Sequence, residues 1–317
     1  MKYSLPTIIF ALANNAFASA PTPTYGDFGG IGLMQTPSAR MADEGTLALH
    51  LSRTAPYRRL ALVLQPFDWL EGTYRYTDVD TRLYGATIAG DQTYKDKSFD
   101  FKVRLAKETS LFPQISAGAR DIGGTGLFSG EYVVATKRWH DLDFSLGLGW
   151  GYLGKRGDLE NPLGLLHPGF NTRPSYKTGS QGGVVSVTSF FRGPTALFGG
   201  IQWQTPWDPL QLKVEYEGNN YKNEYGGPSV KQDSAINYGA SYRFNDTLSM
   251  HAAWERGNTL MVGLTLQGDL SPRRAPVSKI SDPPPEKIAQ DMSRPSVDPD
   301  WPALALRLEK NAGYKVQ

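Results

Sequence analysis

Between positions 142 and 152 the chain alternates without a break: Leu142, Phe144, Leu146, Leu148, Trp150 and Tyr152 fall on one face, and Asp143, Ser145, Gly147, Gly149 and Gly151 on the other. A period of two is strand geometry, because successive side chains of a β-strand point to opposite faces. The pattern returns in four more stretches. Phe99, Phe101, Val103 and Leu105 oppose Asp100, Lys102 and Arg104; Leu210, Leu212, Val214 and Tyr216 oppose Gln211, Lys213, Glu215 and Glu217. Ile236, Tyr238, Ala240, Tyr242 and Phe244 oppose Asn237, Gly239, Ser241 and Arg243, and Leu248, Met250, Ala252 and Trp254 oppose Ser249, His251, Ala253 and Glu255. Such runs of about ten residues have the length a tilted strand needs to cross a bilayer. Soluble sandwiches also alternate, so strand length and the aromatics Trp150, Tyr152, Tyr242, Phe244 and Trp254 at the ends of the apolar faces, read as interfacial girdles, favour the membrane barrel.

Twelve strands are predicted, beginning near Thr46, Tyr57, Trp69, Lys97, Gln114, Gly130, Leu142, Thr195, Leu210, Asp233, Thr247 and Thr259. An even number brings the last strand back to the side where the first began. The connections sort accordingly. Phe67-Asp68-Trp69, His140-Asp141, Trp207-Asp208-Pro209 and Asn245-Asp246 make tight turns on one side, while 79–96, 153–194 and 219–232 are long loops on the other. Segment 182–191, with Val184, Val185, Val187, Phe190 and Phe191, has strand-like composition. As a spanning strand it would break the sorting, so it is placed inside the longest outer loop. The predicted fold is an all-β, antiparallel transmembrane β-barrel of about 12 strands over residues 46–268.

Composition narrows the class further. The 34 Gly, 16 Tyr, 14 Phe and 7 Trp suit strands and turns better than an ordinary helical enzyme. With 33 basic and 31 acidic side chains there is no basic excess to suggest nucleic acid as a partner, and with no Cys there is no disulfide framework, thiolate metal site, thiol catalysis or acylated lipoprotein cysteine. No stretch supplies the roughly 18–20 apolar residues of a spanning helix.

The first 20 residues read as a secretory signal peptide: Lys2, an apolar stretch over 5–12, and small residues at Ala16-Phe17-Ala18 or Ala18-Ser19-Ala20. Cleavage after Ala18 is favoured, because the second site leaves Pro21 first. Residues 21–45 are expected to be a periplasmic entry segment. Residues 269–299, with Pro272, Pro276, Pro283-Pro284-Pro285, Pro295 and Pro299, read as a semi-rigid periplasmic linker. Residues 300–317 open a further module, with a short helix from Trp301 to about Lys310 capped by Asp300, and the chain ends at Gln317 as a new strand starts, as if a longer protein were truncated. Both termini are expected in the periplasm and the barrel in the cell outer membrane.

The run Gly32-Leu33-Met34-Gln35-Thr36-Pro37-Ser38-Ala39-Arg40-Met41, with Asp43 to Leu47 after it, resembles the start of the YjbH-like exopolysaccharide proteins of the Gram-negative outer membrane. So do Tyr94-Lys95-Asp96-Lys97-Ser98-Phe99-Asp100, Arg120-Asp121-Ile122-Gly123-Gly124-Thr125-Gly126-Leu127-Phe128-Ser129 and Phe191-Arg192-Gly193-Pro194. The resemblance covers about Gly29 to Gly268. It implies a non-enzymatic barrel acting in exopolysaccharide or capsule secretion or surface assembly, with outer-membrane lipids, an exopolysaccharide and other export components as partners, no cofactor and no metal. It also implies continuation into a second barrel, from which this sequence departs by ending at Gln317. The terminal Leu264-Thr265-Leu266-Gln267-Gly268 departs from barrel assembly signals in having no final aromatic.

Alternation predicts a lumen lined by Arg75, Asp100, Lys102, Arg104, Arg120, Lys213, Glu215 and Arg243, together with Glu71, Asp143, Glu217 and Glu255. Opposite charges lower each other's desolvation cost by pairing. The simplest reading is therefore a cross-braced, narrow interior, and the functional one a polar track for an acidic glycan. Outer-loop aromatics Tyr84, Tyr94, Phe128, Tyr176, Tyr221 and Tyr225 are candidates for stacking on sugar rings. His50 and His251, with Ser52 and Ser249 nearby, raise an outer-membrane hydrolase as an alternative, and a general diffusion channel is another. The Gly123-Gly124-Thr125-Gly126 run lacks the Lys-Ser or Lys-Thr of a phosphate loop and reads as a tight outer turn.

Overall fold

A computed structural model describes residues 22–85, 89–174, 185, 187–222, 224, 230–271 and 300–312. The signal segment 1–20, linker residues 272–299, Tyr176 and Tyr225 lie outside the described residues. Twelve antiparallel strands form a closed barrel: β1 Thr46–Thr54, β2 Tyr57–Phe67, β3 Leu70–Gly85, β4 Gly90–Ala106, β5 Gln114–Ile122, β6 Gly130–Trp139, β7 Leu142–Trp150, β8 Thr195–Gln204, β9 Leu210–Tyr216, β10 Ile236–Arg243, β11 Leu248–Glu255 and β12 Thr259–Asp269. Each strand pairs with its sequence neighbours, and β1 closes on β12 from Thr46↔Asp269 to Thr54↔Met261. Closure pairs every edge, so the main chain satisfies its own hydrogen bonds, as a bilayer requires. Because β7 pairs directly with β8, from Leu142↔Trp203 to Trp150↔Thr195, no strand lies between them. The described part of segment 182–191 includes a short 3-10 turn, Val187–Ser189, and no strand.

The faces follow the alternation. On β2, Leu60, Leu62 and Leu64 are exposed while Arg59, Ala61, Val63 and Gln65 are buried. Phe101, Leu146, Leu212, Val214 and Tyr216 likewise point outward, and polar partners on the same strands are buried. This inversion, apolar out and polar in, is the arrangement of a membrane-spanning barrel. Aromatics ring both ends. Phe67, Trp69, Trp139, Trp207 and Phe244 are exposed near the short turns, and Tyr238 and Trp254 near the long loops, while Tyr74 and Phe99 lie within the belt, level with Leu62 at the centre of β2. Leu146, 62% exposed at the centre of β7, is therefore expected to face the bilayer midplane. Leu146→Lys should cost about 2–4 kcal/mol of barrel stability, measured by denaturant titration in lipid vesicles. A change below about 0.5 kcal/mol would show that the site is not in hydrocarbon.

Three expectations need correction. The loop expected over 79–96 is largely a ribbon, since β3 continues to Gly85 and β4 begins at Gly90, with register shifts after Val79. Beyond the membrane both faces of a hairpin meet water, so alternation fades while backbone pairing continues. Trp150 and Tyr152, assigned to the outer girdle, are buried. The chain turns inward at Gly151, whose φ is +59°, into a 3-10 turn (Gly151–Gly154), and Trp150 packs edge-on against Phe191 at 5.1 Å. Finally, residues 22–41, expected as an entry segment beneath the barrel, run through its interior.

A second unit, 276–317, contributes the helix α1 Trp301–Ala312. Its first turn is capped by Asp300, whose side chain accepts from the Ala303 backbone at 3.2 Å, with Pro302 placed where no helix donor is needed.

Candidate functional site

The segment from Thr22 to Met41 is held in the barrel by loops of its own and by side chains from most of the wall. Asp27 N donates to Met34 O at 2.7 Å and Leu33 N to Thr36 O at 2.9 Å, and bridges join Tyr25 to Ile31 and Gly32 to Pro37. These tight folds need glycine. Gly29 has φ +95° and a Cβ there would collide with the Ala61 side chain of β2. A compact knot of backbone carries many donors and acceptors, and inside a barrel they must be answered by protein groups.

The wall answers them with charge. The Glu215 carboxylate accepts from the backbone N–H groups of Met34 (2.9 Å), Gln35 (3.0 Å) and Thr36 (2.9 Å), from Thr36 Oγ1 (2.7 Å) and from Asn237 (2.9 Å). Two residues earlier on the same face, Lys213 Nζ donates to Leu33 O at 2.7 Å. Across the barrel, Glu71 accepts from Ile31 N at 3.2 Å, and Lys102 donates to Ile31 O at 3.0 Å while pairing with Glu71 at 3.1 Å. Arg120 donates to Gln35 O at 2.9 Å. Gln35 in turn reaches Asp27 (2.8 Å) and Glu255 (2.6 Å), and Asp27 pairs with Arg59. Charge-assisted bonds of this kind are roughly twice as strong as neutral ones.

Toward the long loops the plug meets an aromatic cork. Phe28, Tyr57, Val79, Phe128, Tyr152 and Tyr221 form one buried cluster. Phe28 is edge-on to Phe128 at 5.7 Å and to Tyr152 at 5.8 Å, and the guanidinium groups of Arg59, Arg75 and Arg120 lie 4.3, 4.9 and 4.3 Å from its ring centre. Toward the short turns a latch holds the far end of the segment. Arg40 reaches Asp143 at 2.7 Å and Glu108 at 2.6 Å, and Ala39 N donates to Thr136 at 2.9 Å.

The predicted lumen residues thus divide. Lys102, Arg120, Lys213 and Glu215 are buried and hold the plug. Arg75 is buried against the Phe28 ring of the plug, donating to Ser98 at 2.8 Å and pairing with Asp100, which also accepts from Asp121 N at 2.8 Å. Arg104 and Arg243 sit at the short-turn end, paired with Asp68 (2.5 Å) and Asp208 (2.8 Å). Glycan stacking fares differently. Phe128 and Tyr221 are fully buried in the cork and present no face to a sugar, a correction to their assignment as outer aromatics. Tyr84 and Tyr94 are half-buried on the β3–β4 ribbon, their rings 4.9 Å apart. Of the glycine run, Thr125 binds Asp96 through its N–H (3.2 Å) and hydroxyl (2.7 Å), making a tight turn.

His50 and His251 do meet at the seam, ring centres 5.5 Å apart. Both bind Thr265 Oγ1, at 2.8 and 2.9 Å, and Ser52 donates to the plug carbonyl of Asp27 at 2.9 Å. Ser249 lies 3.3 Å from His251 Nε2, the same nitrogen Thr265 engages. The cluster ties β1, β11 and β12 together. Sequence reading missed the plug itself, Asp27, Gln35 and Phe28 above all. The dense glycines at 26, 29, 30 and 32 beside Pro37 are the one signal that a tight knot stood before the first strand.

The latch gives a pH expectation. Burial would raise the Glu108 carboxyl, but the Arg138 backbone N–H, Arg40 and Lys137 together hold it below the usual glutamate range. A depressed carboxylate contributes stability that is fully present above its unfolded pKa and is lost as pH falls through the folded value. The plug end is therefore expected to stay docked from neutral pH down through the ordinary glutamate range and to loosen only below it. Protease cleavage near Arg40 as a function of pH measures this, and loosening already at pH 6 would contradict it.

The sequence matches the family described as exopolysaccharide biosynthesis protein YbjH over residues 24–317. It is 51% identical over 255 residues to the uncharacterized lipoprotein YjbH of Escherichia coli K12, covering 80% of this chain and 36% of that relative, so the chain spans about a third of the relative's length. Among solved structures, the KdgM porin is similar with 10% identity and a TM-score of 0.38, over 71% of this chain and 99% of that one. Outer membrane phospholipase A of Escherichia coli is similar with 10% identity and a TM-score of 0.30, over 72% and 98%. The family match begins inside the plug, two residues after its first described residue, and runs on through all twelve strands and the helix. The chain belongs to the YjbH exopolysaccharide-biosynthesis family.

Proposed function

We propose that this chain is a non-enzymatic, plugged barrel of the outer membrane that takes part in exopolysaccharide or capsule secretion or surface assembly. Its short turns and termini face the periplasm and its long loops face outward, with membrane lipids, an exopolysaccharide and other export components as partners. The plug is the observation that carries the reading beyond family membership. A general diffusion channel needs an open lumen, whereas here the backbone of residues 31–36 is bound across the interior by Glu71, Lys102, Lys213 and Glu215. Passage or signalling then depends on displacing the plug or on the outer surface.

Leu159 and Thr195 are paired, with Leu159 N donating to Thr195 O at 3.1 Å, so a short Gly-Ser turn between them can replace residues 160–194 at modest entropic cost. The excision removes Arg173 and Phe191 N, the partners of buried Glu131, so it is combined with Glu131→Gln. The barrel should keep its heat-modifiable mobility while surface polysaccharide falls or becomes deregulated. Unchanged polysaccharide would argue against the role. A large, stable, weakly selective current from the unaltered protein in planar bilayers would favour the diffusion channel instead.

A further inference from the structure

On the outer wall, at the long-loop end of the apolar belt, strand register sets charges in a row. Arg53 of β1 lies opposite Arg58 of β2, Arg58 opposite Asp78 of β3, and Asp78 opposite Lys95 of β4. The next row toward the membrane is Leu51, Leu60, Tyr76 and Lys97, and the one after it Leu49, Leu62, Tyr74 and Phe99. Cations therefore begin where the apolar belt ends.

Two arginines directly opposite on one face repel each other. Arg58 is relieved by Asp80 at 3.1 Å and Lys95 by Asp78 at 2.6 Å, but among the described residues neither Arg53 nor Lys97 has an ion-pair partner, and both are exposed. On β3 and β4, Lys97 helps to line a groove of about 700 Å³ together with Tyr74, Tyr76, Tyr84, Lys95 and Phe99, with the Tyr74 and Phe99 rings 5.2 Å apart.

We propose that this strip is a binding site for the phosphorylated sugar headgroup of an outer-leaflet glycolipid. Arg53, Arg58 and Lys97 meet the phosphates, the tyrosine-lined groove takes the sugar, and the acyl chains lie along Leu51, Leu60 and Phe99. Guanidinium forks match phosphate oxygens, and an anion shared by Arg53 and Arg58 removes the cost of their opposition. A ligand with a charged head alone would leave the adjoining apolar wall unused; continuity with the lipid-facing belt selects a lipid over a soluble glycan. The site rests on the proposed orientation, with the long loops outward.

The test compares purified barrels in detergent, titrated with a fluorescent bisphosphorylated glucosamine glycolipid. Each cation near a charged lipid head is worth on the order of fivefold in affinity, so Arg53→Gln/Arg58→Gln should weaken binding roughly 30-fold. Lys107→Gln/Lys231→Gln, which removes the same charge from exposed positions away from the strip, should leave it within about twofold. The dephosphorylated glycolipid should bind the unaltered barrel about as weakly as the phosphorylated one binds the arginine double variant. Equal loss in both double variants, or equal binding of the dephosphorylated lipid, would overturn the proposal, provided each barrel keeps its heat-modifiable mobility. Orientation is read separately, by labelling Lys222→Cys in intact cells with an impermeant reagent. Labelling only after the periplasm is opened would sink the outer-leaflet placement while leaving the detergent result to stand for the site's chemistry.

Discussion

Glu215→Ala is expected to open the barrel. The carboxylate answers three consecutive backbone N–H groups of the plug, at Met34, Gln35 and Thr36, besides the Thr36 hydroxyl and Asn237. Leaving a buried donor unpaired costs about 1–3 kcal/mol each, so three such groups exceed what any single neighbouring contact can offset. The plug would then exchange its docked state for one in which water satisfies these groups. Lys213, bound to Leu33 O, would lose its companion charge in the same step. Planar-bilayer recordings should change from silent to conducting, and protease should cut within residues 22–41, while the strands persist because their ladders do not involve Glu215's side chain. Glu215→Gln, which keeps one accepting oxygen, should fall between. A silent, protease-resistant Glu215→Ala barrel would show that the plug holds without this carboxylate.

The wall was legible in the sequence because a bilayer imposes a strict two-residue period on any strand that crosses it, which is why Thr46, Tyr57, Gln114, Gly130, Leu142, Thr195, Leu210 and Thr259 all begin strands where alternation predicts. The alternation weakens where the imposing solvent ends. At β3 and β4 the ribbon outruns the membrane, and at Trp150 the face reverses as the chain turns over the mouth. The interior was legible only as charge. That Lys102, Arg120, Lys213 and Glu215 point inward follows from parity, but their partners are main-chain groups of a segment without periodicity, and backbone acceptors leave no mark in a side-chain pattern. For the same reason Phe128 and Tyr221 read as loop aromatics: the sequence shows a loop, and only the fold shows it bending inward onto Phe28.

The second large effect is expected at Phe28. The ring is buried among Phe128, Tyr152 and three guanidinium groups. Of these cations, Arg59 has Asp27 and Arg75 has Asp100, whereas Arg120 has a backbone carbonyl, at Gln35, and the ring. Phe28→Ala removes the packing, at about 3–5 kcal/mol, and with it the π face that each arginine shares, at about 0.5–2 kcal/mol apiece. Phe28→Leu restores much of the volume and none of the quadrupole, so the difference between the two variants separates packing from cation–π attraction. The alanine variant should loosen the loop-end cork and lower the temperature of the heat-modifiable transition, with the leucine variant recovering about half of the loss. If leucine recovers all of it, the arginines are held by their carboxylates and the ring serves only as filler. If alanine itself is neutral, the plug is held by its polar contacts and the Arg40 latch, and Phe28 is a passenger of the segment that carries it.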